Sequence, residues 1–429
     1  MTSTTGASDM VIILFASFFA LLLLGIPIVI SLGIASLASI YIGSDIPFLI
    51  LPQKIFNGMN NFAFMAIPLF LLAGNIMAEA KISDKLVGLA AVLVGRFPGG
   101  LAHMATGASA FFGAISGSAP ATTAAIGSVL IPPMVKRGYS PSYSAAVVAS
   151  SGALGLIIPP SLTMVIFGVM AGTSIGKMFL CGVIPGILIA VALMVMNYVI
   201  ARRRNFACEP PISARDAWIV VKDSLIALVM PLIILGGIYS GAFTATESAA
   251  VACLYGLIVG FAVYRNLTVR SLVAILKTTA ENAAVVMFLM GTANLFGFII
   301  TAEQVPQNFA NFVLSITDNQ YVVMLLVLAM LLVVGTFLDN VAALVLLVPT
   351  MMGIVNALNL DPIYFGVFTI IALAVGQITP PVGLNLFIAA NIAKQPVEPV
   401  AAQALPYIAV YIVMLLIFIL FPGLLMLFN

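Results

Sequence analysis

The residues that could do chemistry lie in two short polar patches set in apolar surroundings. The stretch GAISGSAPATTAAIGSVLIPPM (113–134) carries Ser116, Ser118, Thr122 and Thr123, and GTFLDN (335–340) carries Thr336, Asp339 and Asn340. Hydroxyl, carboxamide and carboxylate oxygens gathered in a low-dielectric interior suit the replacement of a hard cation's hydration shell, Na⁺ being the obvious example. A tandem proline follows each patch: Pro159-Pro160 after Gly155, and Pro380-Pro381 after Gly376. Such a pair removes two N–H donors and disfavours helix in the residue before it, so a helix breaks there. The carbonyls of Gly155 to Ile158 and of Gly376 to Thr379 then need partners, which a cation held against the patch supplies. Two cation sites are predicted. Ser116, Ser118 and Thr122 with carbonyls of the first break (Gly152, Gly155, Ile158) form one. Asp339 with Thr336 or Asn340 and carbonyls of the second break (Gly376, Thr379) forms the other. Thr123, Ser161, Thr163 and Asn385 are the substrate-binding candidates beside them. The competing reading is a pair of kinked helices, with Ser and Thr bonded back to their own carbonyls.

Enzyme chemistry has little to work with. His103 is the single histidine; it follows RFPGGLA and reads as interfacial. An intramembrane hydrolase would need it as the base for Ser116. No GxxxxGK[ST] loop is present for ATP hydrolysis. Cys181, Cys208 and Cys253 lack disulfide or metal spacing, and a net charge of +2 with no Lys/Arg cluster interleaved with aromatics argues against nucleic acid. Glu247 in FTATESAAV is either a helix cap or a functional acid, whereas Lys277 and Glu281 read as interfacial.

The elements that must position these residues are membrane helices. The 429-residue chain is 63% hydrophobic and 7% charged, with mean hydropathy +1.23; soluble proteins are about 25% charged. Apolar runs of spanning length recur throughout, and residues 10–25 read as a first span because MTSTTGASDM has no basic n-region. The order of motifs repeats. LIPPM (130–134) pairs with LVPTM (347–351) at a displacement of 217, while PSY (141–143) and GLIIPP (155–160) pair with PIY (362–364) and GQITPP (376–381) at 221. Four extra residues around NALNLDP would account for the difference, and at 217 Asp339 and Asn340 fall on Thr122 and Thr123. The chain is thus duplicated, with halves of about 10–201 and 223–428.

Charge sets the orientation. The linker with Arg202, Arg203, Arg204, Arg215 and Lys222 is cytoplasmic by the positive-inside rule. Arg96, Lys136 and Arg137 flank the first patch, and Asp318 and Asp361 the second, so the copies open to opposite sides as an inverted repeat. Lys177 sits on the wrong side in this scheme. Each patch becomes the tip of a re-entrant hairpin of two half-length helices, its non-helical backbone buried in protein or lining a cavity. Residues 84–96 form an arm along the cytoplasmic surface. Residues 303–317 form its outer partner, with Val305, Phe309, Phe312, Val313 and Ile316 on one face. The runs 10–25, 28–43, 224–242 and 245–264 remain as scaffold spans. Both termini are expected outside.

The stretches GAISGSAPATTAAIGSVLIPPMVKRGYSP, SSGALGLIIPPS and GAFTATESAAVACLYG resemble the large membrane subunit of tripartite ATP-independent periplasmic (TRAP) transporters, and the resemblance covers essentially the whole chain. It implies a Na⁺-driven importer of organic acids, taking two or more Na⁺ ions and no organic cofactor, in the bacterial inner membrane. It also implies a small four-helix membrane subunit and a periplasmic substrate-binding protein as partners. The implied mechanism is an elevator, in which a transport domain of hairpins and broken helices slides against the scaffold. Some relatives carry an acid where this chain has Thr122, and the first tip is most similar to the sialic-acid branch. The alternative is a self-sufficient Na⁺/carboxylate symporter with no binding protein.

The fold class is therefore an all-α polytopic membrane protein with inverted repeats, two hairpins and two broken helices. The parts are scaffold and cytoplasmic arm (1–98), transport half one (99–176), and connecting span with linker (177–223). They continue as scaffold and outer arm (224–317), transport half two (318–394) and a C-terminal span (395–429).

Overall fold

Residues 4–43, 46–206, 208 and 212–427 are described by the structure, a computed structural model of the chain. Ser3, Asn429 and the linker residues Ala207, Glu209, Pro210 and Pro211, which bear on the topology expected above, lie outside the described residues. The regular elements among the described residues are helices, and eight are long and apolar enough to cross a membrane. In hydrocarbon every backbone N–H and C=O needs a partner, and a helix supplies them within one segment.

The first half begins with α1 (Thr4–Leu23) and α2 (Ile28–Gly43), joined at Gly25, whose φ of +77° only glycine adopts freely. Then come α3 (Ile50–Met59), a 3₁₀ turn (Phe62–Met65) and α4 (Ala66–Glu79). The arm is α5 (Ile82–Val94), and hairpin 1 is α6 (Gly100–Ser116) with α7 (Ala119–Lys136). The broken helix is α8 (Pro141–Gly152), the short α9 (Leu154–Ile157) and α10 (Leu162–Met170), bent by 41° at the break. It leads to α11 (Ile175–Arg204).

The second half repeats this order. Helix α12 (Ala214–Tyr239), α13 (Ala245–Ile258) with a π-helical turn to Val263, and α14 (Val269–Ala302) are its scaffold. The arm is α15 (Val305–Ile316), hairpin 2 is α16 (Gln320–Phe337) with α17 (Asn340–Ala357), and the broken helix is α18 (Pro362–Gly376) with α19 (Leu384–Ala393). Helix α20 (Val397–Leu420) closes the chain. Helices α3–α4 and α14 thus stand beside the four spans picked out by hydropathy.

Several expectations need correcting. The hairpin arms are not half-length: α6 has 17 residues and α7, α16 and α17 have 18 each, so each is about 26 Å long at 1.5 Å per residue. The repeat register is 221 throughout the hairpins. Ser116 and Phe337 end the ascending arms, Ala119 and Asn340 start the descending ones, and residues 137–140 and 358–361 are loops of equal length. The partner of Asp339 is thus Ser118, both being N-caps, and not Thr122. The LIPPM and LVPTM strings misled because two similar apolar-proline strings sit about one helical turn apart on equivalent helices. In the outer arm the buried residues are Pro306, Ala310 and Val313. Phe312 and Ile316 are 63% and 59% exposed, so the apolar face is divided between protein and surroundings.

The halves interlock. Helix α10 of the first half packs on α17 and α18 of the second, and α19 of the second packs on α7 and α8 of the first. Arm α5 packs against α6 and α12, and α15 against α17 and α14, so each arm joins a hairpin to the scaffold. Both arms open on a non-glycine residue in the left-handed region, Lys81 (φ 56°) and Gln304 (φ 53°), a local mark of the same duplication.

Candidate functional site

At the first tip the C-terminal end of α6 meets the N-terminal end of α7. Ser116 Oγ lies 2.9 Å from Thr122 Oγ1, and Thr122 Oγ1 donates to Ser118 O at 2.8 Å. The Ser118 hydroxyl caps α7 by accepting from Ala121 N. Its carbonyl, rather than its hydroxyl, therefore faces the broken helix. A Cβ on Gly155 would lie 2.6 Å from Thr122 Oγ1 and 2.7 Å from Ser118 O, and one on Gly113 would lie 2.8 Å from Gly155 Cα. Only glycine at 113 and 155 lets hairpin and break approach this closely, which is the small-residue packing expected where lipid offers no hydrophobic drive. Gly152 is pressed likewise against Thr123.

The second tip repeats the plan with different donors. A Cβ on Gly376 would collide with the Gly335 carbonyl. The Asp339 carboxylate caps α17 by accepting from Val341 N at 3.2 Å and engages the side chain of Gln377. Asp339 is open to a cavity, while Asn340 and Gln377 are buried. Thr336 Oγ1 and Thr379 Oγ1 each donate to a carbonyl of their own helix, Val333 O and Val375 O, both at 2.7 Å. As acceptors both hydroxyls keep lone pairs facing outward. The Pro159-Pro160 and Pro380-Pro381 bonds are both cis, and each hairpin bonds across to its break: Leu162 N donates to Gly117 O at 3.3 Å, and Val382 N to Thr336 O at 3.1 Å.

Between the tips lies a cavity of about 360 Å³ lined by Ser118, Thr163, Asp339, Asn340 and Gln377, and walled by Leu71 of α4 and Asn282, Val285 and Val286 of α14. Three helix N-termini, those of α7, α10 and α17, end on it, and such ends favour anions. A neighbouring cavity of about 260 Å³ shares Leu71, Ser118, Pro120 and Asn282 and extends along α4 past Asn75 to Ala78.

The structure separates the substrate candidates. Thr163 lines the cavity. Ser161 lies at the break, bonded to Leu156 O at 2.6 Å and to Thr163 Oγ1 at 2.8 Å. Asn385 does not line it; its Nδ2 donates to Ala149 O at 3.1 Å, tying α19 to α8. Thr123 is fully buried against Gly152. Glu247 completes a capping box: its carboxylate accepts from Thr244 N at 2.8 Å, and its own N–H donates to Thr244 Oγ1 at 3.2 Å. The acid is a helix cap, distant in sequence from either tip.

His103 is 3% exposed and sits 5.6 Å from the Phe97 ring, so its side chain is packed inside the protein near the start of α6. It lies on α6 about 20 Å from Ser116 at 1.5 Å per residue, too far to act as its base. Gln377 and Asn282 are site residues that sequence reasoning missed. Gln377 stands inside the quoted GQITPP, but Asn282 carries no local signal.

A second layer holds α8 in place. Tyr407 Oη donates to Asn197 Oδ1 at 2.6 Å, Asn197 Nδ2 donates to Thr106 Oγ1 at 2.9 Å, and Thr106 Oγ1 lies 2.9 Å from Ser151 Oγ. This buried chain runs from α20 through α11 and α6 to the residue beside Gly152. A satisfied buried network of this kind rigidifies what it touches.

Paired hairpins closed on paired broken helices, with a polar cavity between their tips inside a membrane-helix bundle, define a membrane transporter and not an enzyme. The chain belongs to the tripartite ATP-independent periplasmic transporter family as its DctM component, whose family model matches residues 15–424. It is 41% identical over 421 residues to the isethionate TRAP transporter permease protein DctMQ of Oleidesulfovibrio alaskensis, covering 97% of this chain and 66% of that one. It thus spans just under two thirds of that relative's length. It is 37% identical to the sialic acid TRAP transporter large permease protein SiaM of Vibrio cholerae, covering 94% of each chain. It is also 37% identical to the C4-dicarboxylate large permease DctM of Pseudomonas aeruginosa, covering 92% of each. Among solved structures, the YdaH transporter of Alcanivorax borkumensis has the same fold, with a TM-score of 0.64 over 86% of this chain and 87% of that one at 15% identity.

Proposed function

We propose that this large permease imports an organic acid, driven by Na⁺ and fed by a periplasmic binding protein, with a small membrane subunit as partner in the bacterial inner membrane. The observation that carries the reading is the convergence of both tips on one cavity while each tip closes on a break through oxygens. Asn340 Oδ1, Gln377 Oε1 and Thr123 Oγ1 are buried with no hydrogen-bond partner among the described residues, and unmatched buried acceptors are costly unless something binds them. The donor set is entirely oxygen, which suits Na⁺ as the coupling ion. Ser116, Ser118 O, Thr122 and the first break would hold one ion, and Asp339, Asn340, Gln377 and the second break another. Bound cations and three helix N-termini would then hold an anion without an arginine. The substrates named for the relatives (isethionate, sialic acid and C4-dicarboxylates) are all organic anions, and equal identity to SiaM and DctM gives the sialic-acid branch no preference.

The motion proposed is an elevator. The cavity lies where the hairpins meet α4 and α14, so sliding one against the other would carry a bound acid past the scaffold. The test is uptake into proteoliposomes of the purified two-subunit permease, with and without the binding protein and a Na⁺ gradient. Uptake requiring both supports the proposal. Uptake without a binding protein would establish the self-sufficient symporter instead, and Na⁺-independent uptake would remove the ion sites.

A further inference from the structure

A third cavity, between the two domains, has no part in the site described above. It measures about 420 Å³ and lies toward the base of hairpin 2, the face read as outer. Its scaffold wall carries Lys54, Asn57 and Asn61 from the α3 region and Asn294 and Thr301 from α14; Val169, Met170 and Pro349 form the transport-domain wall. The wall is built by close packing. A Cβ on Gly58 would lie 2.5 Å from Asn294 Cβ, and one on Gly291 would lie 2.9 Å from Ile55 O, so α3 and α14 touch along their backbones and present their polar side chains together. Lys54 is half-buried, with Nζ 4.3 Å from the centroid of the Phe298 ring.

This cavity and the one between the tips are successive stations along the same helices. On α10, Thr163 lines the inner cavity and Met170 the outer; on α17, Asn340 lines the inner and Pro349 the outer. These separations are about 10 and 13 Å at 1.5 Å per residue, and Asn282 to Asn294 on α14 is about 18 Å. An outward slide of that size brings Thr163 and Asn340 opposite Lys54 and the three asparagines. The scaffold wall of the inner station, Leu71, Asn282, Val285 and Val286, carries no charge.

We infer that Lys54, with Asn57, Asn61 and Asn294, is the scaffold half of the outward-facing substrate site and binds the acid group of the incoming anion. This rests on the elevator reading above. A scaffold cation at the outer station, and none in the scaffold wall of the inner one, makes capture tighter than release, because a ligand shifts a two-state equilibrium only through its differential affinity for the states. The carboxamides complete the hydrogen bonding of an anion whose charge Lys54 meets.

Two measurements on the complete transporter in proteoliposomes test this, with binding protein saturating. The probe is radiolabelled N-acetylneuraminate, succinate or isethionate, whichever the wild type takes up. First, with the native cysteines replaced, Lys54→Cys paired with Thr163→Cys should cross-link under oxidant while Na⁺ and loaded binding protein are present. Second, Lys54→Gln should lower initial uptake at least about tenfold, the low end of what charge in a cleft adds to capture of an oppositely charged ligand. Lys54→Arg should restore most of it. A cross-link with wild-type uptake in Lys54→Gln overturns the inference alone. So does a defect that vanishes as binding protein is raised, which would make Lys54 a docking contact. No cross-link in any condition overturns the elevator reading and the inference with it.

Discussion

Gly155→Ala separates the ion site from the stability of the fold. The added methyl would lie 2.6 Å from Thr122 Oγ1 and 2.7 Å from Ser118 O, and neither can retreat freely. Thr122 is fully buried, and Ser118 O is fixed by accepting from Thr122 N at 3.0 Å. Overpacking of this kind costs about 1–3 kcal/mol. Against it, replacing glycine inside a helix gains about 1 kcal/mol in backbone entropy. The folded permease should therefore lose at most about 2 kcal/mol, while the methyl occupies the point on which the oxygens converge. If half of the crowding falls on the bound state, about 0.5–1.5 kcal/mol, the half-saturating Na⁺ concentration rises about two- to tenfold. The assay is initial uptake against Na⁺ concentration in proteoliposomes, with a melting curve of the same preparation. A variant that melts within a few degrees of the wild type and needs more Na⁺ fits the geometry. Unchanged Na⁺ dependence would refute the first cation site, whatever the melting curve shows.

Asp339→Asn keeps a good N-cap for α17 while removing the charge; uptake should be lost with folding intact, and normal Na⁺-dependent uptake would reduce the acid to a cap. Glu247→Ala should break the capping box, read as a lower melting temperature, with uptake per folded molecule unchanged. Membrane-impermeant labelling of single cysteines at the two termini should place both outside and the 202–222 linker inside; termini on opposite faces would end the inverted repeat.

Much of this was legible in the sequence because it is written in proline, glycine and polar residues against an apolar background. Pro159-Pro160 and Pro380-Pro381 marked both breaks, and SGS and LDN marked both tips. The capping role of Glu247 was there in TATE, a threonine three residues before a glutamate. The register was misjudged because a five-residue string on a helix surface can recur a turn away, whereas Ser118 and Asp339 are aligned by the helix starts that they cap. Asn282 was invisible, since a scaffold residue becomes part of the cavity only through packing between distant segments. The same holds for Asn385, whose partner Ala149 lies on the other half of the chain.

The crossing of α10 and α19 between the halves has a consequence for biogenesis. When Met170 enters the bilayer, the second-half surface on which α10 will rest begins only at Asn340, in α17. At ordinary elongation rates that delay is about 10–30 s. During it the face of α10 that will meet α17 and α18 has no partner, although hairpin 1 already stands ready to close on the break, whereas α19 arrives to find α7 and α8 waiting. A truncated chain ending near residue 300 should therefore be a substrate for membrane quality control, not a stable half-transporter.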